Sequence, residues 1–126
     1  MYNNDLIEED QLYIPVKDHG FMYGMGLFET FRVYNNEPFL FDEHLERLSK
    51  GLNLLGILIN ISTKEWKSKL LKLLRVNQLT DAYIRLTVTA GVAPIGLPQN
   101  PYHEPLVLWM LKPIQSFQED LLFGKK

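Results

Sequence analysis

Alternating hydrophobic and polar residues mark three extended segments of the chain. Leu27–Tyr34 (LFETFRVY) alternates and is rich in aromatic and β-branched residues, which predicts a strand. Asn35-Asn36 predicts a tight turn, because asparagine tolerates left-handed backbone angles, and Pro38–Phe41 is expected to return antiparallel. Two more strands are predicted over Ala82–Ala90 and Pro105–Leu111. The last is apolar on both faces, so we expect it to be central or covered.

Leucines at helical spacing predict two helices between these strands. The first covers about Glu43–Leu55, with Asp42 as its N-cap and Gly56 as its stop. Ser62 and Glu65 form the S-x-x-E pattern of a capping box, which begins the second helix. The order of hairpin, two helices and two strands predicts an α+β two-layer sandwich, a mostly antiparallel sheet with both helices on one face.

Composition and charge narrow the class of protein. The chain has 126 residues and no cysteine, which indicates one domain and excludes disulfides, cysteine-ligated metal and thiol catalysis. Residues 1–46 carry ten acids and two bases, and residues 47–126 carry eleven bases and five acids. Most of that basic excess falls on one helix face, which favours a solvated surface over a nucleic-acid interface. We find no membrane-length apolar run and no signal peptide, so we expect a cytoplasmic protein.

Candidate ligand-binding side chains lie on the polar faces of two predicted strands. Alternation places Phe28, Thr30 and Arg32 on one face of their strand, and Arg85 lies on the polar face of another. If both faces are on the same side of the sheet, Arg32 and Arg85 converge over an open platform that suits carboxylates or phosphate. The alternative is that both arginines are solvated or pair with the acids of the N-terminal third. Glu29 lies on the opposite, helix-covered face of this strand, where it is the one acidic residue among apolar ones.

A second group of candidates lies on the first predicted helix. Arg47 is off the leucine stripe, with His44 one turn before it and Gly51 one turn after it. The small glycine would let a bulky anion approach the guanidinium. No second ligand points with His44, so we expect no metal site and a packing or hydrogen-bonding histidine.

The segment DHGFMYGMGLFETFRVYNNEPFLFDEHLERL, with YIRLTVTAGVAPIGLP and EPLVLWMLKP, resembles a known family. It is similar to the N-terminal domain of class IV (fold type IV) aminotransferases, which are pyridoxal 5'-phosphate enzymes. The resemblance covers residues 1–113 and makes 114–126 the start of an interdomain linker. Within the family, the second and third segments are most similar to the 4-amino-4-deoxychorismate lyases of Gram-positive bacteria. The resemblance implies a small-molecule substrate with carboxylates and a homodimer, with no nucleic-acid or membrane partner.

Individual roles follow from this resemblance. Arg47 stands where the family binds the cofactor phosphate. Phe28, Thr30 and Arg32 stand on the strand face that borders the substrate, and Arg85 matches a basic position that the lyases present to their substrate. The implied activity is a lyase that forms 4-aminobenzoate and pyruvate for folate biosynthesis.

The chain also departs from the family pattern. Met25 replaces the usual aspartate of Gly-Asp-Gly, and Ala90 stands where D-amino-acid aminotransferases have a carboxylate-binding arginine, which disfavours that activity. The family's Schiff-base lysine belongs to a C-terminal domain, so we expect it beyond Lys126 and expect this chain to be an inactive half of an enzyme. Lys112 is the least unsuitable lysine within it. The alternatives are a branched-chain or D-amino-acid aminotransferase, and a non-catalytic dimerisation or anion-binding module.

Overall fold

The strands of this chain form a four-stranded antiparallel sheet, and the two long helices cover one of its faces. The computed structural model describes residues 1–96 and 101–114. After a 3-10 turn at Glu9–Gln11, the elements are α1 (His19–Tyr23), β1 (Gly26–Tyr34), β2 (Glu37–Pro38), α2 (Phe41–Leu55), α3 (Thr63–Val76), β3 (Ala82–Thr89) and β4 (Leu106–Pro113). The strand order is β2-β1-β3-β4. This architecture confirms the predicted α+β two-layer fold.

The hairpin between β1 and β2 is shorter than predicted. Asn35 and Asn36 both take positive φ, 54° and 65°, so the predicted turn is confirmed. The predicted return strand Pro38–Phe41 is wrong beyond Pro38, because the chain turns at Leu40 and enters α2. β2 therefore pairs with only the last two residues of β1.

α2 begins at Phe41, two residues before the predicted start. Leu40, with φ 54° and no capping side chain, occupies the N-cap position, so the assignment of Asp42 as the N-cap is wrong. Phe41 is buried, and its ring meets Phe31 edge-on with 5.5 Å between centroids, which explains the earlier start. The helix ends at Leu55, and Gly56 takes φ 73°, as predicted.

α3 confirms its predicted capping box. The Ser62 hydroxyl accepts a hydrogen bond from the Glu65 N–H at 3.1 Å, and the Glu65 carboxylate accepts one from the Ser62 N–H at 3.0 Å. The helix places Trp66 over Trp109 of β4, with 5.8 Å between ring centroids. Helix α3 thus covers the β4 side of the sheet, and α2 packs on β1.

β4 lies at the end of the sheet and not at its centre. Residues Met1–Asn3 cover its outer edge: the Met1 amino group donates to the Trp109 carbonyl at 2.7 Å, and the Asn3 N–H donates to the Val107 carbonyl at 2.6 Å. The expectation of a central or covered strand holds through burial of its side chains and not through position: Leu106, Val107 and Trp109 are buried, and Leu108, Met110 and Leu111 are half-buried. None of the helices in the described part of the chain has the length and apolarity needed to cross a membrane.

Candidate functional site

The sheet face opposite the helices carries aromatic, hydroxyl and cationic side chains. The β1–β3 register pairs Thr30 with Arg85 and Arg32 with Tyr83. Phe28 projects from the same face and is 53% exposed. The four predicted residues of the two strands therefore share one surface, which we call the platform: Phe28, Thr30 and Arg32 of β1, and Arg85 of β3.

The two arginines of the platform are diagonal neighbours on adjacent strands. Such positions lie about 7–8 Å apart, with their Cβ atoms somewhat closer, so two long guanidinium side chains can reach one carboxylate between them. Arg85 lies over the Phe28 ring, with Cζ 3.9 Å from the centroid, and forms no ion pair within residues 1–96 and 101–114. The alternative that Arg85 pairs with the N-terminal acids is therefore wrong. Arg32 donates from Nη1 to the Tyr34 hydroxyl at 3.3 Å.

Arg47 is held by a carboxylate that enters from the covered face of β1. Glu29 is 8% exposed, and its Oε2 accepts from Arg47 Nε at 2.9 Å while its Oε1 accepts from Arg47 Nη2 at 2.7 Å. His44 Nδ1 lies 2.7 Å from the same Oε1. Because an ionised carboxylate only accepts, Nδ1 carries the proton in this contact. The prediction that His44 is a hydrogen-bonding histidine is confirmed.

Glu29, Arg47 and His44 stabilise one another's charged or hydrogen-bonded forms. Burial alone would raise the pKa of the Glu29 carboxyl, but the hydrogen bonds and charges of Arg47 and His44 hold that pKa below its ordinary value. In return, the hydrogen bonds and charge of Glu29 raise the pKa of Arg47. Glu29 is therefore ionised at neutral pH and fixes the Arg47 guanidinium in one orientation.

The anchored guanidinium still has donors to offer. Glu29 uses Nε and one hydrogen of Nη2, which leaves Nη1 available, and the Arg47 side chain is 71% exposed. This fork edge suits a phosphate or a carboxylate. The structure thus gives Arg47 the geometry of an anion-binding residue.

Arg47 and the platform lie on opposite faces of β1, a strand with a partly open edge. Within the described residues, β2 pairs with Val33 and Tyr34, and the Phe39 N–H donates to the Arg32 carbonyl at 2.8 Å, so the edge of β1 from Gly26 to Phe31 has no strand beside it. Glu29 and Arg47 lie on the helix side of β1, and Phe28 and Thr30 lie on the platform side.

Gly51 does not have the role expected from the sequence. A Cβ at this position would collide with Leu27 Cδ1, so the missing side chain makes room for the packing of Leu27 beneath α2. The prediction that Gly51 opens space for an anion beside Arg47 is wrong. The access to Arg47 comes from its own exposure.

A buried polar network beside the platform was not predicted from the sequence. Asp18 and His19 are 1% and 0% exposed. Asp18 accepts from the Thr89 hydroxyl at 2.6 Å, His19 Nδ1 lies 2.8 Å from the Tyr102 hydroxyl, and His19 Nε2 lies 3.0 Å from the Pro94 carbonyl. The network ties the segment after β3 to α1. No local pattern could have revealed it, because its members are 71 to 83 residues apart.

Comparison with known proteins adds family information to this geometry. The sequence profile described as Amino-transferase class IV matches residues 26–120. Aminodeoxychorismate lyase of Bacillus subtilis is 42% identical over 108 residues, which are 84% of this chain and 37% of that protein. D-alanine aminotransferase of Bacillus licheniformis is 37% identical over 120 residues, which are 95% of this chain and 42% of that protein.

Solved structures share the fold. The branched-chain amino acid aminotransferase of Escherichia coli superposes with a TM-score of 0.79 at 24% identity, and the match covers 92% of this chain and 40% of that one. The chain thus spans about two fifths of the length of the proteins that it matches.

Proposed function

This chain belongs to the class IV aminotransferases, a family of pyridoxal-phosphate enzymes, and on that premise we propose that the complete protein is a lyase. The proposed reaction converts 4-amino-4-deoxychorismate to 4-aminobenzoate and pyruvate, for folate biosynthesis in the cytoplasm. The observation that carries the proposal is the pair of platform arginines, Arg32 and Arg85, which suits carboxylate groups of such a substrate. The 42% identity with the Bacillus subtilis lyase supports it.

The described residues fit the phosphate of the cofactor. Arg47 has an exposed fork edge fixed by Glu29, and we propose that it holds the phosphate. When bound, pyridoxal phosphate supplies an electron sink for cleavage in the substrate. Arg32 and Arg85 would hold a carboxylate over the platform, and Phe28 and Thr30 would border the substrate beside that carboxylate. These residues bind and orient; they transfer no proton in this proposal.

The proposal places the lysine that holds the cofactor covalently outside the described residues. Such a lysine must be desolvated and aimed at the cofactor. Within residues 1–96 and 101–114, every lysine is exposed or only half-buried. Lys112, the least unsuitable by sequence, is exposed as well. We propose that a C-terminal domain beyond Lys126 supplies this lysine.

The decisive experiment is an assay of the complete protein with 4-amino-4-deoxychorismate, in which pyruvate release is coupled to lactate dehydrogenase. We expect pyruvate release, and we expect Arg85→Ala to lower kcat/KM by about 10-fold to 100-fold, because a charged hydrogen-bonding group is lost. Arg75→Ala on the exposed face of α3 is the matched control and should leave the rate unchanged. The absence of pyruvate release from the unmodified protein would refute the lyase.

A second candidate is an aminotransferase, which the 37% identity with the Bacillus licheniformis enzyme favours. Its activity would require transfer of an amino group from a D-amino acid or a branched-chain amino acid to a keto acid. Keto-acid-dependent amino transfer without pyruvate release from 4-amino-4-deoxychorismate would select this candidate. Pyridoxal-phosphate binding without either activity would select a non-catalytic binding module.

We also propose that the complete protein is a homodimer. Phe21 and Ile95 are 70% and 67% exposed, and the Tyr23 hydroxyl accepts from the Gly96 N–H at 2.8 Å, which joins the segments that carry them. Exposed apolar groups on adjoining segments are typical of association surfaces. Sedimentation of the complete protein should give twice the monomer mass, and Phe21→Asp should shift it toward the monomer. A monomeric unmodified protein would refute the dimer.

A further inference from the structure

A third cation lies on the platform side of β4, next to the predicted substrate residues. The β3–β4 register pairs Tyr83 with Lys112 and Arg85 with Met110. Lys112 is thus the diagonal neighbour of Arg85, on the side opposite β1. These residues line a shallow groove of about 280 Å³, whose rim also contains Glu9.

The contacts of the two cations leave their N–H donors available. Lys112 Nζ lies 5.4 Å from the Tyr83 ring centroid, and Arg85 lies over Phe28. Aromatic faces attract cations without accepting conventional hydrogen bonds. Within the described residues, neither Lys112 nor Arg85 forms an ion pair, although other lysines do, such as Lys67 with Glu37.

We propose that Lys112 is a specificity-determining residue that binds the second carboxylate of a dicarboxylate substrate. This inference rests on the proposed function, in which Arg32 and Arg85 hold the first carboxylate. Diagonal neighbours on adjacent strands lie about 7–8 Å apart, so a ligand can extend from Arg85 to Lys112. The thioether of Met110, directly opposite Arg85, gives an apolar wall for a flat ring between the two carboxylates. Glu9 contributes the opposing negative charge at the rim.

Two probes that differ by one carboxylate test this subsite in the chain as it stands. 3-(Carboxymethoxy)benzoate carries two carboxylates on one ring, and benzoate carries one. Titrations followed by the backbone amide signals of Tyr83, Arg85 and Lys112 locate the binding and give both dissociation constants. We expect the unmodified chain to bind the dicarboxylate more tightly.

Substitutions of opposite expected sign sharpen the test. Lys112→Gln should weaken dicarboxylate binding about fivefold and change benzoate binding by less than about twofold, because a single exposed ion pair contributes about that much. Glu9→Gln should tighten dicarboxylate binding by removing the opposing charge. Lys72→Gln, on the exposed face of α3, is the matched control. Equal weakening of both probes by Lys112→Gln, no effect of it, or no preference in the unmodified chain would overturn the subsite.

The binding titrations and the pyruvate assay can fail independently of each other. The ratio of the two dissociation constants requires no cofactor and no turnover, whereas the pyruvate assay requires both. If pyruvate release is absent but Lys112→Gln abolishes the dicarboxylate preference, the subsite is supported and the lyase is refuted. If pyruvate is released and the ratio is unchanged by Lys112→Gln, the subsite alone is refuted.

Discussion

Replacement of Glu29 by glutamine tests how the buried carboxylate supports Arg47. In the structure, this carboxylate accepts two hydrogen bonds from Arg47 and one from His44, at 2.7–2.9 Å. Glutamine has nearly the same shape but only one side-chain acceptor oxygen, so its NH2 group must face an Arg47 donor. Glu29→Gln therefore removes charge-assisted hydrogen bonds and creates a donor–donor contact without a cavity.

We expect Glu29→Gln to lower the free energy of unfolding only moderately, because the exposed Arg47 can return to solvent. Hydrogen bonds to charged groups contribute about 1.5–3 kcal/mol, but the Arg47 side chain is 71% exposed and regains water when its partner is lost. We expect Glu29→Gln to lower the free energy of unfolding by about 1–2 kcal/mol. For a chain of this length, that corresponds to a decrease in Tm of about 4–8 °C.

The loss of stability in Glu29→Gln should become smaller as the pH falls. The pKa of Glu29 is lowered from its ordinary value of 4.5, so its ionised form stabilises the folded state. That stabilisation is fully present above pH 4.5 and is lost as the pH falls through the lowered pKa of the folded state. Urea unfolding of both proteins from about pH 7 down to about pH 3 should show the difference shrinking at the acidic end.

Glu37→Gln is the matched control for this experiment. Glu37 is also a β-sheet glutamate with a cationic partner, but its side chain is 75% exposed and its ion pair with Lys67 is long, at 3.5 Å. Its substitution should change the free energy of unfolding by less than about 0.5 kcal/mol. A Glu29→Gln protein as stable as the unmodified one at pH 7, or a difference that persists undiminished at low pH, would contradict the reasoning.

Three further predictions concern stability and protonation. Gly91→Ala should lower the free energy of unfolding by about 2–4 kcal/mol in urea, because Gly91 has φ 84° and an added Cβ meets a backbone carbonyl. Gly24→Ala, at φ 70° in open space, should lower it by only about 1–2 kcal/mol. Equal losses in the two variants would contradict this reasoning. Ser62→Ala should lower the free energy of unfolding by about 1 kcal/mol through loss of the capping box, and an unchanged Tm would count against that role. Nitrogen NMR should show a proton on His19 Nε2, which faces the Pro94 carbonyl, and a ring with its only proton on Nδ1 would be inconsistent with that contact. Tyr102→Phe removes the hydroxyl that contacts His19 Nδ1 and should lower the free energy of unfolding by about 1–2 kcal/mol.

Local sequence signals predicted the elements whose ends are determined by local chemistry. The Ser62–Glu65 capping box and the Asn35-Asn36 turn each satisfy backbone groups within a few residues, so their patterns are visible in the sequence. The predicted start of α2 was wrong because Phe41 is positioned by the ring of Phe31 in β1 and not by a capping side chain. Tertiary packing had overridden the local signal there.

The candidate site divides in the same way. Strand alternation placed Phe28, Thr30 and Arg32 on one face, and the register with Arg85 confirmed it. Glu29 was visible only as an acid on an apolar face, because its partner Arg47 comes from a helix 18 residues away. The resemblance implies a phosphate-binding role for Arg47, which stays a prediction, and it did not indicate the carboxylate that orients Arg47.

The ion-paired carboxylate on the hidden face of β1 also determines which side chains the opposite face displays. Strand residues alternate, so a shift of β1 by one position would turn Glu29 outward and bury Phe28. The hydrogen bonds from α2 to Glu29 oppose that shift and fix the register of β1. Substitution of Thr30 or Arg32 therefore leaves this alignment of the strand in place, because the residue that aligns β1 lies on the opposite face from the platform.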